Sequence, residues 1–122
     1  MSRQTVKRVE KPWGHELIWS HTDQYAGKLL FIKAGHRLSF QFHEKKDESI
    51  YMHSGMMQFQ LEDDQGKIEE HRLFAGDAFR IRTGRKHRMI ALEDCTVYEV
   101  STPELNDVVR LDDQYGRSGT KP

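Results

Sequence analysis

Residues 38–43 read Leu-Ser-Phe-Gln-Phe-His, an alternation of apolar and polar side chains. Successive side chains of a β-strand point to opposite faces, so Phe40 and Phe42 lie on one face while Gln41 and His43 lie on the other. The inner face of a small barrel is buried, and a buried amide and imidazole need a partner that offsets their desolvation. The stretch therefore predicts a half-buried strand whose polar face holds a partner such as a metal ion.

Strand-like segments recur along the whole chain at short intervals. They are rich in β-branched, aromatic or alternating residues and are separated by Gly, Asp and Asn turns. The segments are residues 15–19, 28–33, 38–43, 49–52, 56–62, 67–74, 78–81, 88–92 and 96–101. Many short strands must close into a barrel or stack as two sheets, because open edges would pair with other chains. The sequence predicts an all-β fold, a jelly-roll barrel.

Length and composition fit one domain. The 122 residues, with 36% hydrophobic and 31% charged, can fill one small core. We expect a single domain over residues 1–122, with its core at about residues 12–102 and a polar tail at 103–122. The 19 Lys and Arg balance the 19 Asp and Glu. Without a basic excess, neither nucleic acid nor an anionic membrane surface is expected as a partner.

The compartment and assembly follow from the same composition. The sequence shows neither an apolar run of the roughly 20 residues that span a bilayer nor an apolar stretch within residues 1–11 that would serve as a secretory signal. A cytoplasmic protein is predicted. The one cysteine, Cys95, lies in an apolar stretch and is expected to be a buried thiol. Since a jelly roll of this length has exposed edges, we expect a homodimer.

A metal-ligand set extends from the polar face of residues 38–43. Glu48 begins the next predicted strand, and His87 follows a turn that contains glycine. Together with Gln41 and His43 they offer two imidazoles, a carboxylate and an amide oxygen. Taken alone, each histidine fits a hydrogen-bonded core residue, but a buried glutamate without a cation would be costly. We therefore predict a divalent metal on Gln41, His43, Glu48 and His87.

The order and spacing of these residues resemble a known superfamily. Residues Gly35, Gln41-Phe42-His43, Glu48 and Gly55 resemble the first cupin motif, and Gly76-Asp77, Gly84 and His87 resemble the second. Gln41 stands where the usual motif has histidine. That glutamine, with Arg37-Leu38-Ser39, Pro12-Trp13-Gly14 and the Asp-Asp-Gln-Tyr-Gly-Arg of residues 112–117, resembles the mannose-6-phosphate isomerase cupins. The similarity is greatest to the isomerase half of bifunctional mannose-6-phosphate isomerase and mannose-1-phosphate guanylyltransferase enzymes.

The resemblance implies a cupin jelly roll with a divalent metal, commonly zinc, on the same four side chains. Zinc suits redox-silent polarisation of a sugar carbonyl, and iron, manganese and nickel stay as alternatives. The resemblance also implies contacts to a phosphorylated sugar from Arg37, Lys46 and Arg117, and roles in catalysis for Glu48, Lys46 and Arg117. A weaker set of phosphate candidates is the basic cluster around His87, namely Arg80, Arg82, Arg85, Lys86 and Arg88.

The function expected from this resemblance is a metal-dependent aldose–ketose isomerase acting on a sugar or sugar phosphate. Its base stays open among Glu48, Glu44, Lys46 and His53. One alternative is a non-enzymatic cupin that binds a sugar or another small effector, since jelly rolls serve many functions. A less favoured alternative is an iron cupin dioxygenase, because the amide of Gln41 is a poorer donor to a redox metal than imidazole.

Overall fold

The computed structural model describes residues 2–117 and 119, so the expected domain bounds at residues 1 and 122 lie outside the described residues. The described residues form eleven strands and contain no helix. The strands are β1 Lys7–Lys11, β2 Gly14–His21, β3 Ala26–Ile32, β4 Phe40–Phe42, β5 Glu48–Ser54, β6 Met57–Glu62, β7 Ile68–Leu73, β8 Ala78–Ile81, β9 His87–Ala91, β10 Cys95–Ser101 and β11 Val109–Asp112. The all-β prediction is confirmed.

The strands form two antiparallel sheets. The first has the order β1-β2-β3-β10-β5-β8, and the second has the order β11-β4-β9-β6-β7. Strands far apart in sequence are therefore neighbours, as in β3 with β10 and β4 with β11. These crossovers between two facing sheets are the jelly roll that the turn spacing predicted. No described element is a helix long and apolar enough to cross a membrane.

Two strands are absent from the sequence prediction, and most of the predicted strand boundaries shift by one or a few residues. β1 and β11 were not predicted, because their composition is polar and charged, and they exist through pairing with β2 and β4. The segment predicted at residues 38–43 forms a strand only at Phe40–Phe42. Leu38 lies before the strand begins, so it does not share a face with Phe40 and Phe42. It packs against the hydrophobic core.

Inward side chains change from apolar to polar along each central strand. In β10, Cys95 and Val97 are fully buried, and Glu99 follows at the next inward position with 5% exposure. In β3, Ile32 and Leu30 give way to Lys28, which lies opposite Glu99. In β5, Glu48 is followed at the next inward positions by Ile50 and Met52, and in β9 His87 is followed by Met89 and Ala91.

The registers bring these polar positions to one end of the barrel. We call this the polar end, and it comprises Lys28, His43, Lys46, Glu48, His87 and Glu99, all buried. The apolar end is the cluster built around Met52, Met57, Phe59 and Val97. Cys95 belongs to the apolar end as a free, buried thiol, as predicted, and burial raises its pKa to about 11.

Candidate metal centre and cavity

A cavity of about 620 Å³ opens from the polar end of the barrel. Its walls include five of the residues predicted for the site, Gln41, His43, Lys46, Glu48 and Arg117. Apolar side chains such as Trp13, Leu30 and Met89 form part of the same wall. Cavities of this size, apolar with a few convergent polar groups, are typical of small-molecule sites.

The two histidines turn the same ring nitrogen toward the interior. His43 Nδ1 donates to the carbonyl oxygen of Asp107, and His87 Nδ1 donates to the carbonyl oxygen of Arg85 at 2.9 Å. A carbonyl oxygen only accepts, so these contacts assign the proton to Nδ1 and leave Nε2 for another partner. Both Nε2 atoms are buried and have no hydrogen-bond partner within the described part of the chain.

The carboxylate of Glu48 lies between these two nitrogens. Its Oε2 is 3.4 Å from His43 Nε2, and its Oε1 is 3.6 Å from His87 Nε2. Ligand atoms of the three residues all lie within 4.8 Å of one another. Burial lowers the pKa of His43 to about 4, with help from the Lys46 charge, so this imidazole is neutral at neutral pH. A lone pair that faces a carboxylate in a buried site is repulsive until a cation lies between them.

Gln41 occupies the neighbouring position in the sheet. Its backbone lies directly opposite His87 in the pairing of β4 with β9, so the two side chains share one face. The hydroxyl of the fully buried Ser39 donates to Gln41 Oε1 at 2.6 Å. An amide oxygen has two lone pairs, so this bond orients Oε1 and leaves one lone pair for a metal. The four side chains fit a divalent ion with nitrogen and oxygen ligands.

Lys46 enters the cavity beside the carboxylate. Its Nζ lies 2.7 Å from Glu48 Oε2 and 3.3 Å from Glu99 Oε2, and all three side chains are buried. Burial alone would lower the pKa of Lys46, but the charges of Glu99 and Glu48 outweigh burial and hold the pKa above its usual range. Lys46 is therefore an ammonium ion that donates hydrogen bonds and does not accept protons.

The two arginines implied by the resemblance have different surroundings. Arg117 lines the cavity, where its guanidinium contacts both carboxylate oxygens of Asp113, at 3.1 and 3.2 Å. Arg37 is exposed, donates to Gln114 Oε1 at 2.8 Å, and does not line this cavity. The substrate contact expected of Arg37 stays a prediction from the sequence and has no geometric support here.

Two base candidates and the basic cluster lie outside the cavity lining. Glu44 is exposed, and His53 is exposed on β5 with its ring against Tyr98. Three members of the basic cluster are engaged elsewhere. Their partners are Asp47 for Arg80, Asp64 for Arg85 and Asp112 for Arg88. These ion pairs partly neutralise the cluster, and the phosphate role expected of it stays a prediction from the sequence.

Sequence reasoning missed Glu99 and Lys28, although a signal for both exists. Each continues the inward alternation of an apolar strand, Glu99 after Cys95 and Val97, and Lys28 before Leu30. A charged residue at an inward position of a strand needs a buried partner. Reading the strands for such positions finds both residues.

The fold and the buried His-Glu-His cluster together define a cupin. The sequence model of the family described as mannose-6-phosphate isomerase C-terminal matches residues 1–113. This match covers most of the 122 residues, so the chain belongs to that family. No curated protein matches the chain.

Solved structures share the same jelly roll. KdgF from Halomonas sp. is 27% identical with a TM-score of 0.70, and the match covers 81% of this chain and 87% of KdgF. Oxalate decarboxylase of Bacillus subtilis, described with Mn(II) centres, is 20% identical with a TM-score of 0.73 over 87% of this chain. A Lactobacillus farciminis oxalate decarboxylase in a formate complex is 18% identical with a TM-score of 0.73, again over 87% of this chain. The chain spans 30% and 33% of those two decarboxylase chains, and at such identity they show the fold alone.

Proposed function

We propose that this protein is a metal-dependent aldose–ketose isomerase that acts on a sugar phosphate. The observation that carries the proposal is the convergence of two buried imidazole nitrogens on Glu48, beside the ammonium of Lys46, in a cavity of substrate size. Isomerisation needs a group that moves a proton between adjacent carbons and compensation for the negative charge that develops on the sugar oxygens.

Gln41, His43, Glu48 and His87 would hold the ion, with zinc favoured and manganese, iron and nickel as alternatives. When bound, a divalent ion supplies Lewis-acid polarisation of the sugar carbonyl. The chain's own part is to hold the four ligands still. Ser39 and the carbonyl oxygens of Asp107 and Arg85 do this through their hydrogen bonds to the ligand side chains.

Of the four base candidates, Glu48 has the best support. Glu44 and His53 are exposed, and Lys46 is held as an ammonium ion. Glu48 Oε2 takes the proton from one carbon and returns it to the next. Lys46 Nζ donates hydrogen bonds to the charged sugar oxygens, and the hydroxyl proton passes directly between those two neighbouring oxygens. Glu99 positions Lys46 for this step.

We also propose that the protein is a homodimer, and that the outer face of the six-stranded sheet is the interface. Four large apolar side chains there are exposed, Trp19, Tyr51, Tyr98 and Val100. Tyr98 lies opposite Tyr51 in the sheet, so these side chains form a continuous apolar row. Light scattering should give a dimer mass for the wild type and a monomer mass for Tyr98→Lys. The cytoplasmic location stays a prediction from the sequence.

The assignment is tested by incubating the zinc-loaded protein with a panel of free and phosphorylated aldoses and detecting the ketose by NMR. Gln41→His should keep the metal, since three ligands remain, and lower turnover about tenfold or more because the substrate oxygens are displaced. Arg117→Ala should keep the metal and weaken use of phosphorylated sugars more than free ones. If the fully loaded wild type converts none of the aldose phosphates, a sugar-binding or effector-binding cupin replaces the isomerase.

A further inference from the structure

The place of Arg117 in the cavity wall depends on the turn that follows β11. Asp113 begins this turn, and its buried carboxylate accepts hydrogen bonds from the Arg117 backbone N–H at 2.7 Å and from the guanidinium at 3.1 and 3.2 Å. The Gly116 N–H donates to the Asp113 carbonyl oxygen at 3.2 Å and closes the turn. These bonds fix Arg117 relative to residues 113–116, but they do not fix the turn relative to the barrel.

Tyr115 joins this turn to the barrel. Its hydroxyl shares a hydrogen bond of 2.6 Å with Nδ1 of His36, and the two rings are stacked with an interplanar angle of 13°. The same tyrosine packs against the hydrophobic core. The central guanidinium carbon of Arg117 lies 5.7 Å from the centre of the Tyr115 ring, which is the geometry of a cation–π contact. One side chain therefore contacts the core, His36 and the cavity arginine.

His36 is a fixed point for this contact. It lies between β3 and β4, and its carbonyl oxygen accepts a hydrogen bond from the Ala91 N–H at 2.9 Å. The Ala91 carbonyl oxygen in turn accepts from the Gly35 N–H, also at 2.9 Å. These bonds tie the segment to β9, the strand that begins with His87. The same strand therefore carries a predicted metal ligand and anchors, through His36, the turn that holds Arg117.

A second contact reaches the turn from the neighbouring residue. Arg37 donates to Gln114 Oε1 at 2.8 Å, and both residues are exposed. Water competes for an exposed hydrogen bond, so this contact adds little to the free energy that holds the turn closed. His36 and Tyr115 are half-buried, and their rings stack as well as bond. The His36–Tyr115 contact therefore decides whether the turn stays against the barrel.

We propose that His36 and Tyr115 are positioning residues that hold Arg117 at the cavity wall. Without their hydrogen bond, the turn at residues 113–116 opens from the barrel more often and takes the guanidinium with it. This positioning stands on the contacts described above. Its consequence for catalysis, a weaker contact to a phosphorylated sugar, rests on the proposed isomerase function.

Limited proteolysis with trypsin measures the opening of the turn without any substrate. Trypsin cleaves after Arg117 only while the turn is open, because the protease must enclose a side chain that is 14% exposed in the closed turn. Mass spectrometry separates this cut from cleavage after Lys67. Since Lys67 lies in the exposed turn between β6 and β7, its cleavage reports changes in general stability.

Four variants isolate the hydrogen bond. Tyr115→Phe removes the hydroxyl and keeps the ring, and His36→Leu removes the imidazole. His36→Asn is the conservative variant, because its amide keeps a polar group at the position of Nδ1. Arg37→Ala is the matched control, because it removes the exposed contact to the same turn from the adjacent residue.

Tyr115→Phe and His36→Leu should each raise the rate of cleavage after Arg117 about fivefold, as expected for one lost hydrogen bond. The rate after Lys67 should stay that of the wild type. The double variant should be no faster than His36→Leu alone, because both substitutions remove the same bond. His36→Asn and Arg37→Ala should stay within about twofold of the wild type.

Two outcomes of the proteolysis would overturn the proposal. The first is cleavage after Arg117 in Tyr115→Phe and His36→Leu at the rate of Arg37→Ala. The second is a parallel rise after Lys67, which would show that the contact supports only the general stability of the fold.

Steady-state kinetics separate this proposal from the isomerase assignment. Tyr115→Phe should raise KM for an aldose phosphate about threefold and change kcat less than about twofold. In an Arg117→Ala background it should have no further effect on KM, because the residue that it positions is absent. A further rise in KM there would contradict the positioning role.

The two assignments can fail separately. A protein that shows the expected cleavage but converts no aldose phosphate keeps the positioning role of His36 and Tyr115 and loses the isomerase assignment. A protein that converts an aldose phosphate while cleavage after Arg117 is the same in every variant keeps the isomerase assignment and loses the positioning role.

Discussion

Along β10 the inward side chains change from Cys95 and Val97 to Glu99 within five residues. The same strand therefore lines both the apolar end and the polar end of the barrel. At the apolar end, Phe59, Met52 and Val97 have no exposed surface. At the polar end, Lys46 is buried between Glu48 and Glu99. One barrel wall therefore supports an apolar core and a charged cavity on a common set of strands.

The two ends differ in what they contribute to folding. Each large apolar side chain buried at the apolar end contributes about 1.5–3 kcal/mol to stability. A buried ion pair contributes little, because the desolvation of its charges offsets their attraction. The polar end therefore contributes little to stability. Its buried charged side chains are better explained by a role in binding a ligand. The following variants separate the two ends, beginning with the largest expected effect.

His87→Ala should reduce bound divalent metal from about one per chain to less than a tenth, because it removes one of the two imidazoles that face Glu48. His43→Ala should do the same. Metal content of purified, zinc-loaded protein measured by mass spectrometry checks both. His53→Ala is the matched control, since His53 is exposed on β5, and it should keep its metal. Full metal occupancy in both His87→Ala and His43→Ala would show that the polar end does not hold the metal.

Phe59→Ala should lower the free energy of unfolding by about 3–5 kcal/mol, through lost burial and the cavity left behind. Urea denaturation measures the change, and Ile68→Ala, at a side chain that is 41% exposed, is the control with an effect of about 0.5 kcal/mol or less. Metal content per folded chain should not change. If Phe59→Ala loses its metal, the two ends are not energetically separable.

The metal-free protein should lose stability as the pH falls from about 6.5 to about 4. Burial lowers the pKa of His43 to about 4 in the folded protein, so the unfolded chain binds more protons across this range. Stability has its full value above about pH 6.5, and about 3 kcal/mol of it is lost by pH 4. Urea midpoints against pH measure it. His43→Gln should give a flatter profile in this window, and an identical slope in both proteins would contradict the assigned cause.

Arg37→Ala should have the smallest effect, less than about twofold on turnover or on the apparent affinity for a sugar phosphate. The guanidinium is exposed and bonded to Gln114, outside the cavity wall that includes Arg117. Steady-state kinetics with Arg117→Ala in parallel compare an arginine outside the cavity with one inside it. A loss in Arg37→Ala as large as that in Arg117→Ala would mean that the substrate extends beyond this cavity.

The alternation of residues 38–43 was sufficient to predict that Gln41 and His43 face inward, because a two-residue period is a local property of strands. Glu48 and His87 followed from motif spacing, and they approach His43 through pairing of strands distant in sequence. The role of the four ligands stays a prediction. The strands β1 and β11 could not be predicted from their own composition, because their stability comes from their neighbours.

Lys46 shows most clearly what local sequence leaves open. It lies in the charged run Glu-Lys-Lys-Asp of residues 44–47, which is typical of an exposed turn. The carboxylate of Asp107 accepts the backbone N–H groups of residues 44, 45 and 46 and fixes the turn. Neighbouring Lys45 is exposed while Lys46 is buried against Glu48. A residue about 60 positions away thus decides which lysine enters the cavity.

The sequence by itself determined the all-β class, the cupin resemblance and the inward face that carries Gln41 and His43, because strand period and turn chemistry are short-range properties. The tertiary structure alone decided that Lys28, Lys46 and Glu99 meet at one end of the barrel and that Arg37 lies outside it. Those positions depend on the register between distant strands and on buried charges from different segments, such as Lys46 and Glu99, that meet only in the folded barrel.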